Sequence, residues 1–161
     1  MGHALTTPEM AKEYNYFQNP NVRLAYTEVN GMRTNMEDRI INTHIYGDWY
    51  MYGVLDGHAG SSCVELVQKE LPLLVKQCFE FNKGLPDDSE LTNICIKIDK
   101  TIILKCKSGT TSAVVLLNTN TRHVVSINIG DSSIYYFDNE DKIIFEATEH
   151  KPNNETEKTR I

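Results

Sequence analysis

The sequence has no run of about 18 apolar residues, so it offers no candidate transmembrane helix. No charged n-region precedes an apolar h-region, so no secretory signal is expected. Cations are scarce: 16 Lys and Arg stand against 22 Asp and Glu, a formal charge of −6. That balance argues against a nucleic-acid binder held by phosphate contacts. An acidic chain that handles phosphate must instead supply its cations locally. The G-x-x-x-x-G-K-[ST] loop that cradles nucleotide phosphates is missing, as are internal repeats and low-complexity tracts. Cysteine is sparse too. Cys63, Cys78, Cys95 and Cys106 show no C-x-x-C spacing, which excludes the common zinc and redox motifs. All four have apolar neighbours and read as small buried hydrophobes in a reducing compartment rather than as disulfide partners.

What remains is ordinary globular composition. In 161 residues, 40% are hydrophobic and 24% charged, which fits one domain or a large part of one. The N-terminal Met1-Gly2-His3-Ala4-Leu5-Thr6 fits the M-G-x-x-x-[ST] pattern for acylation at Gly2. No polybasic patch follows, so a single acyl chain there implies only weak membrane association. The expected location is cytoplasmic, with peripheral-membrane or nuclear residence as variants.

Hydrophobic periodicity divides the chain. Arg23 to Val29 alternates and reads as a strand, closed by Asn30-Gly31. Arg39 to Ile45 and Trp49 to Leu55 are rich in β-formers and read as a hairpin around Tyr46-Gly47-Asp48. After His58 the period becomes helical. Ser61 or Ser62 is the expected cap, and Pro72 is expected to kink or restart the helix. A polar loop over 82–88 leads to a second helix, with Ser89 as its expected cap and Leu91, Ile94, Cys95, Ile98 and Ile102 on one face. The last third reads as four strands with turns at 118–120 and 138–141. This order lacks βαβ alternation and predicts an α+β fold, an antiparallel sheet with helices on one face.

The candidate site lies between Arg33 and His58. Taken singly, Asp56-Gly57 is an ordinary turn, His58 a surface histidine, and Glu37-Asp38 a solvated strand end. Together they suit a hard cation and a phosphoryl group. Asp56 sits where one strand ends, and Gly57 lets its own carbonyl approach an ion closely. Glu37, from the adjacent strand, completes an oxygen-rich shell of the kind Mg²⁺ or Mn²⁺ takes. Arg33 offers a planar fork to phosphate oxygens, and His58 offers a proton to a leaving oxygen.

Five blocks in order carry a resemblance to a known family. They are Gly31-Met32-Arg33-Thr34-Asn35-Met36-Glu37-Asp38, Val54-Leu55-Asp56-Gly57-His58-Ala59-Gly60, Ser108-Gly109-Thr110-Thr111-Ser112-Ala113, Asn128-Ile129-Gly130-Asp131-Ser132, and Glu149-His150-Lys151-Pro152 followed by Glu155 to Ile161. The chain resembles the metal-dependent serine/threonine protein phosphatases, the type-2C family, over essentially its whole length. The resemblance implies an antiparallel β-sandwich flanked by α-helices in α-β-β-α layers. It implies two Mg²⁺ or Mn²⁺ ions and attack on phosphorus by a water bridging them, with phosphorylated proteins as substrates. It implies that Asp56 bridges the metals, that the Gly57 carbonyl and Glu37 bind them, and that Arg33 holds the substrate phosphate. His58 becomes the general acid and Asp38 an outer catalytic group. Gly109, Thr110, Gly130 and Asp131 are expected to shape the sheet around the site.

Residues 1–22 then form an N-terminal extension, and 23–161 the N-terminal part of the catalytic domain. The family's later aspartate blocks, D-G-x-W-D and D-N, do not appear, so the sandwich is expected to be incomplete at its C-terminal side and to hold at most one ion. An uncovered sheet is expected to favour a homodimer. Ser112, Ser133 and Glu149 depart from the family's usual residues, the last two standing where it has arginine and aspartate. The competing reading is a phosphatase-like binding or regulatory module that does not turn over.

Overall fold

The computed structural model describes residues 4–18 and 21–160, and for 4–6 and 10–18 only the backbone. The chain opens with an antiparallel ribbon, β1 (Ala4–Gln18) against β2 (Arg23–Arg33). The hairpin β3 (Arg39–Tyr46) and β4 (Trp49–Leu55) follows as its wealth of β-forming residues predicts. Its turn uses Gly47 at φ 55°, a conformation that suits glycine. A two-residue strand, β5 (Gly57–His58), leads into helices α1 (Ser62–Asn82) and α2 (Asp88–Lys105). The chain returns through β6 (Gly109–Thr110), β7 (Ser112–Asn118), β8 (Val124–Ile129), β9 (Tyr135–Phe137) and β10 (Ile143–Glu146), and reaches the short helix α3 (Glu155–Arg160).

The central sheet is antiparallel with strand order β3-β4-β7-β8. Period-two alternation divides its faces. Trp49, Met51 and Leu55 of β4 and Val114 and Leu116 of β7 are buried beneath the helices. Tyr50, Tyr52 and Val115 face the other way. α1 contributes Val67, Leu71, Val75 and Phe79 at intervals of four, all buried in the same core. Phe79 is fully buried, with its ring centroid 5.6 Å from that of Trp49.

On the opposite face the cover is thinner. Ala113, Ile134 and Ala147 form a small second core with Val115 and Tyr136 around it. Leu24 and Tyr26 of β2 border a cavity floored by Tyr52, Val54 and Val115. The fold is therefore α+β with antiparallel sheets, as expected. One layer of long helices is present among the described residues, and the pairs β1-β2 and β9-β10 form two-stranded sheets separate from the central one.

Three local expectations are corrected. α1 runs unbroken through Pro72. An interior proline costs roughly 3 kcal/mol, which the burial of Leu71, Val75 and Phe79 at about 1.5–3 kcal/mol each offsets. Ser61 stands at the N-cap but makes no side-chain cap bond; the Cys63 N–H is instead bonded by Ser108 Oγ at 2.9 Å, from a distant part of the chain. The cap of α2 is Asp87, not Ser89. Its Oδ1 accepts from the Glu90 N–H at 2.8 Å, and Glu90 Oε2 accepts from the Asp87 N–H at 2.9 Å, a reciprocal capping box. The four cysteines are all free. Gly2 lies outside the described residues.

The caps differ enough to be measured. Asp87→Ala should lower stability to urea by about 1 kcal/mol. Ser61→Ala should change it by less than about 0.5 kcal/mol. Equal losses would contradict the assignment of the caps.

Candidate functional site

The sharp turn after β4 carries Asp56, and its backbone is fixed on both sides. The Asp56 carbonyl accepts from the Thr111 N–H at 2.8 Å and from Thr110 Oγ1 at 3.1 Å. The Asp56 N–H donates to Thr111 Oγ1 at 3.1 Å. Thr111 Oγ1 in turn lies 2.6 Å from Ser132 Oγ, which ties the loop after β8 to the same point. Gly57 and His58 then pair with Thr110 and Gly109. A Cβ at Gly57 would collide with the Glu37 carbonyl oxygen, so glycine is what lets the two loops touch.

Asp56, Gly57, Glu37, Asp38 and Arg33 all border one polar cavity of about 180 Å³. The structure thus brings together five of the six residues singled out from sequence. Within it, Asp38 is the carboxylate that meets Asp56. Burial, and then the charge and hydrogen bond of Asp56, push the Asp38 carboxyl above the usual aspartate value, while Arg33 and Arg39 pull the other way. Glu37 directs its side chain differently: Oε1 accepts from the Gly60 N–H at 3.1 Å. This bond closes the loop over 56–60 onto the preceding strand.

His58 is exposed, and it does not border that cavity. Its ring lies over Gly109, where an added Cβ would come within 2.5 Å of Cε1 and Nε2. Gly109 is therefore the floor on which the imidazole rests.

Among the described residues, no three His, Cys, Asp or Glu side chains converge on one metal position. What the site does offer is a pair of carboxylates in contact, two nearby guanidinium groups, and the exposed end of a strand. Two like charges held together in a polar cavity are the donor chemistry that suits a hard cation.

Several contributors escaped the sequence reading. Arg39 donates through Nη1 to the carbonyls of Met36 and Asp38, at 3.0 and 2.8 Å, and through Nη2 to Glu65 at 2.9 Å. It braces the turn that carries Glu37 and Asp38 against the start of α1. Thr111 and Ser132 fix Asp56, and Ser108 caps α1. The signal for these was present in the blocks themselves, since each stands in or beside one. Each role draws on a partner 21 to 55 positions away, which no local pattern gives.

The raised carboxyl of Asp38 has a consequence for stability. A carboxylic acid whose value rises on folding binds its proton more tightly in the folded chain. Its contribution is fully present below the unfolded value, near 3.8, and is lost as pH rises through the folded value. Asp38→Asn should therefore stabilise the metal-free chain at neutral pH, and the gain should vanish as the pH falls below the ordinary carboxylate range. Thermal melts of both proteins from pH 3 to pH 8 test this. A gain that is independent of pH would assign the effect to packing.

Gly109→Ala should disturb His58 while leaving the fold intact, because only the side chain of His58 must give way. The expected outcome is a shifted His58 imidazole resonance with a far-ultraviolet spectrum unchanged from the parent. An unmoved resonance would mean that Gly109 does not support the ring.

Known proteins share this arrangement of blocks. A sequence profile described as Protein phosphatase 2C matches residues 22–161. Protein phosphatase 1A of Bos taurus is 29% identical over 180 aligned residues, covering all of this chain and 46% of that protein, and the Homo sapiens protein of the same name matches to the same extent. Protein phosphatase 2C 1 of Paramecium tetraurelia is 29% identical over 181 aligned residues, with 58% of its length covered. The chain thus spans about half the length of the curated relatives it matches. The matched region contains every block that builds the cavity, and the chain belongs to the protein phosphatase 2C family.

Proposed function

We propose that the site serves metal-dependent hydrolysis of phosphoserine and phosphothreonine in proteins. The observation that carries this reading is the contact between Asp38 and Asp56 in a cavity that Arg33, Glu37 and the Gly57 backbone also line. Asp56, Asp38 and the Gly57 carbonyl would hold Mg²⁺ or Mn²⁺, with Glu37 reaching it directly or through water. A bound ion of this kind activates water as a nucleophile near neutral pH and neutralises charge on phosphate oxygens.

The chain's own residues supply the rest. Arg33 is exposed and borders the cavity, so its guanidinium is free to take two oxygens of a dianionic phosphoryl group. His58, exposed and resting on Gly109, is free to donate a proton to the departing serine or threonine oxygen. Glu37 spends one oxygen on Gly60 and keeps the other for the cavity. Its role is to hold the loop as much as to bind.

A second reading has its own support. With no three ligating side chains convergent among the described residues, the 161-residue chain would bind one ion weakly. It would then act as a phosphoprotein-binding or regulatory module. Phosphorylated proteins are the proposed partners under both readings, and nucleic acid is not. Acylation at Gly2, with cytoplasmic residence and weak membrane association, is likewise proposed from the N-terminal pattern alone.

Kinetics separate the readings. Mn²⁺-dependent hydrolysis of a phosphothreonine peptide, lost by more than about tenfold in Asp56→Asn, supports the enzyme. Arg33→Ala should mainly raise KM. His58→Ala should lower kcat by about 10²-fold or more for alkyl phosphates and far less for an activated aryl phosphate. Mn²⁺ binding by calorimetry without turnover would support the binding module. Equal losses for good and poor leaving groups would remove the proton-donor role of His58.

A further inference from the structure

Asp38 and Asp56 reach the cavity from different segments, and both segments are tied to one element. Asp38 ends the turn between β2 and β3, and Asp56 follows β4. The first two turns of α1 meet the supports of each. Ser108 Oγ accepts from the Cys63 N–H at 2.9 Å and lies 2.8 Å from Ser62 Oγ. Ser108 opens the run whose Thr110 and Thr111 fix Asp56. On the other side, Gln68 Nε2 donates to the Ile40 carbonyl at 2.9 Å, and Glu65 Oε1 accepts from Arg39 Nη2 at 2.9 Å. Just ahead of the helix, the Gly60 N–H donates to Glu37 Oε1 at 3.1 Å. These contacts are made within the chain, whatever covers its outer faces.

Arg39 is the joint between the acidic turn and the helix. Its Nη1 donates to the Met36 and Asp38 carbonyls, on either side of Glu37, while Nη2 reaches Glu65. A guanidinium is planar and rigid, so three acceptors on its fork specify where the turn sits. Lysine carries the same charge as a single nitrogen on a flexible stem, which one position would have to share among all three.

We propose that α1 is the frame that sets the separation of Asp38 and Asp56, and that Arg39 is the positioning residue that holds the acidic turn to it. On the cation site proposed above, on which this rests, the separation decides which ion is preferred. Mg²⁺ demands near-ideal octahedral geometry at short distances, whereas Ca²⁺ accepts longer and more variable ones. A fixed pair of carboxylates can therefore favour the smaller ion, and a loosened pair loses that preference. Charge alone predicts the opposite sign. A guanidinium beside two carboxylates repels a cation, so its removal by itself would strengthen the binding of either ion.

The test measures Mg²⁺ and Ca²⁺ binding by calorimetry for the intact chain and its variants. Arg39→Lys keeps the charge and loses the fork. It should bind Mg²⁺ about tenfold more weakly, as groups that orient ligands from outside do when replaced, and Ca²⁺ by much less. Glu65→Leu should shift the two affinities in the same way, and leucine, a good helix former, should leave the far-ultraviolet spectrum of α1 unchanged. Glu65→Gln keeps an acceptor for Nη2 and should stay within about twofold of the parent. Arg39→Met separates position from charge: weaker Mg²⁺ binding supports positioning, and stronger binding of both ions overturns it.

A metal-free readout accompanies these. The Gly60 amide is held by Glu37, so its hydrogen exchange should quicken in Arg39→Lys and Glu65→Leu and keep the parent rate in Glu65→Gln. An unchanged ratio of Mg²⁺ to Ca²⁺ affinity in Arg39→Lys, or Gly60 exchange at the parent rate, would overturn the proposal. Failure of the parent to bind either ion would count against the cation site itself, and Gly60 exchange would still decide whether Arg39 holds the turn.

Discussion

Asp56 is held from both sides of its backbone, and the rest of the site depends on that hold. A carboxylate at the end of a strand would ordinarily move with the loop that follows it. Here the carbonyl of Asp56 accepts from the Thr110 hydroxyl and the Thr111 amide, while its N–H is taken up by the Thr111 hydroxyl. Four consecutive residues divide the work. Ser108 caps α1, Gly109 supports His58, and Thr110 and Thr111 fix Asp56. A functional side chain is only as well placed as the shell that orients it. In this chain the shell comes from β6 and the start of β7, more than fifty residues beyond the site.

The second constraint is electrostatic. Burying Asp38, and then setting it against Asp56, costs free energy in the absence of a cation, which appears as the raised carboxyl of Asp38. The fold accepts this because two arginines stand by. Arg39 is committed to backbone carbonyls and to Glu65, so its charge is structural. Arg33 remains exposed and borders the cavity. One guanidinium holds the turn, and the other stays exposed at the cavity. The division leaves a cation beside the carboxylates in a chain whose net charge is −6.

Much of this was legible in the sequence, for physical reasons that can be named. The hairpin β3-β4 was legible because β-branched and aromatic residues crowd both of its strands and a glycine turn divides them. The stripe of α1 was legible because Val64, Val67, Leu71 and Phe79 recur at helical spacing and share a face. Glu37, Asp38, Asp56 and Gly57 were legible only together with Arg33, since each alone is ordinary at a strand end. β1 was missed: Pro8, Glu9, Lys12 and Glu13 break any alternation, and its pairing with β2 contains register shifts. Pro72 misled because propensity is local while burial on both sides of it is not. The cap of α1 was misassigned because the group that supplies it lies some 45 residues away. Patterns read from sequence give periodicity and composition, and they do not give long-range partners.

The departures from the family pattern show how such partnerships adjust. Ser133 and Glu149 stand where the pattern has arginine and aspartate, and the structure brings these two positions into contact. Ser133 Oγ donates to Glu149 Oε1 at 2.9 Å. Lys151 Nζ lies 2.6 Å from Glu149 Oε2, and this contact, with Ser133 second, holds the Glu149 carboxyl below the usual carboxylate range. The segment around Glu149 is further tied by the His150 N–H to the Gly130 carbonyl at 2.8 Å. Gly130 adjoins the loop that reaches Thr111 through Ser132, so the anchoring of residues 149–151 bears on the same shell that fixes Asp56. The two departures meet in one contact, and Lys151, which the pattern shares, completes it, so the tie from residues 149–151 to the shell around Asp56 is formed with the residues this chain has.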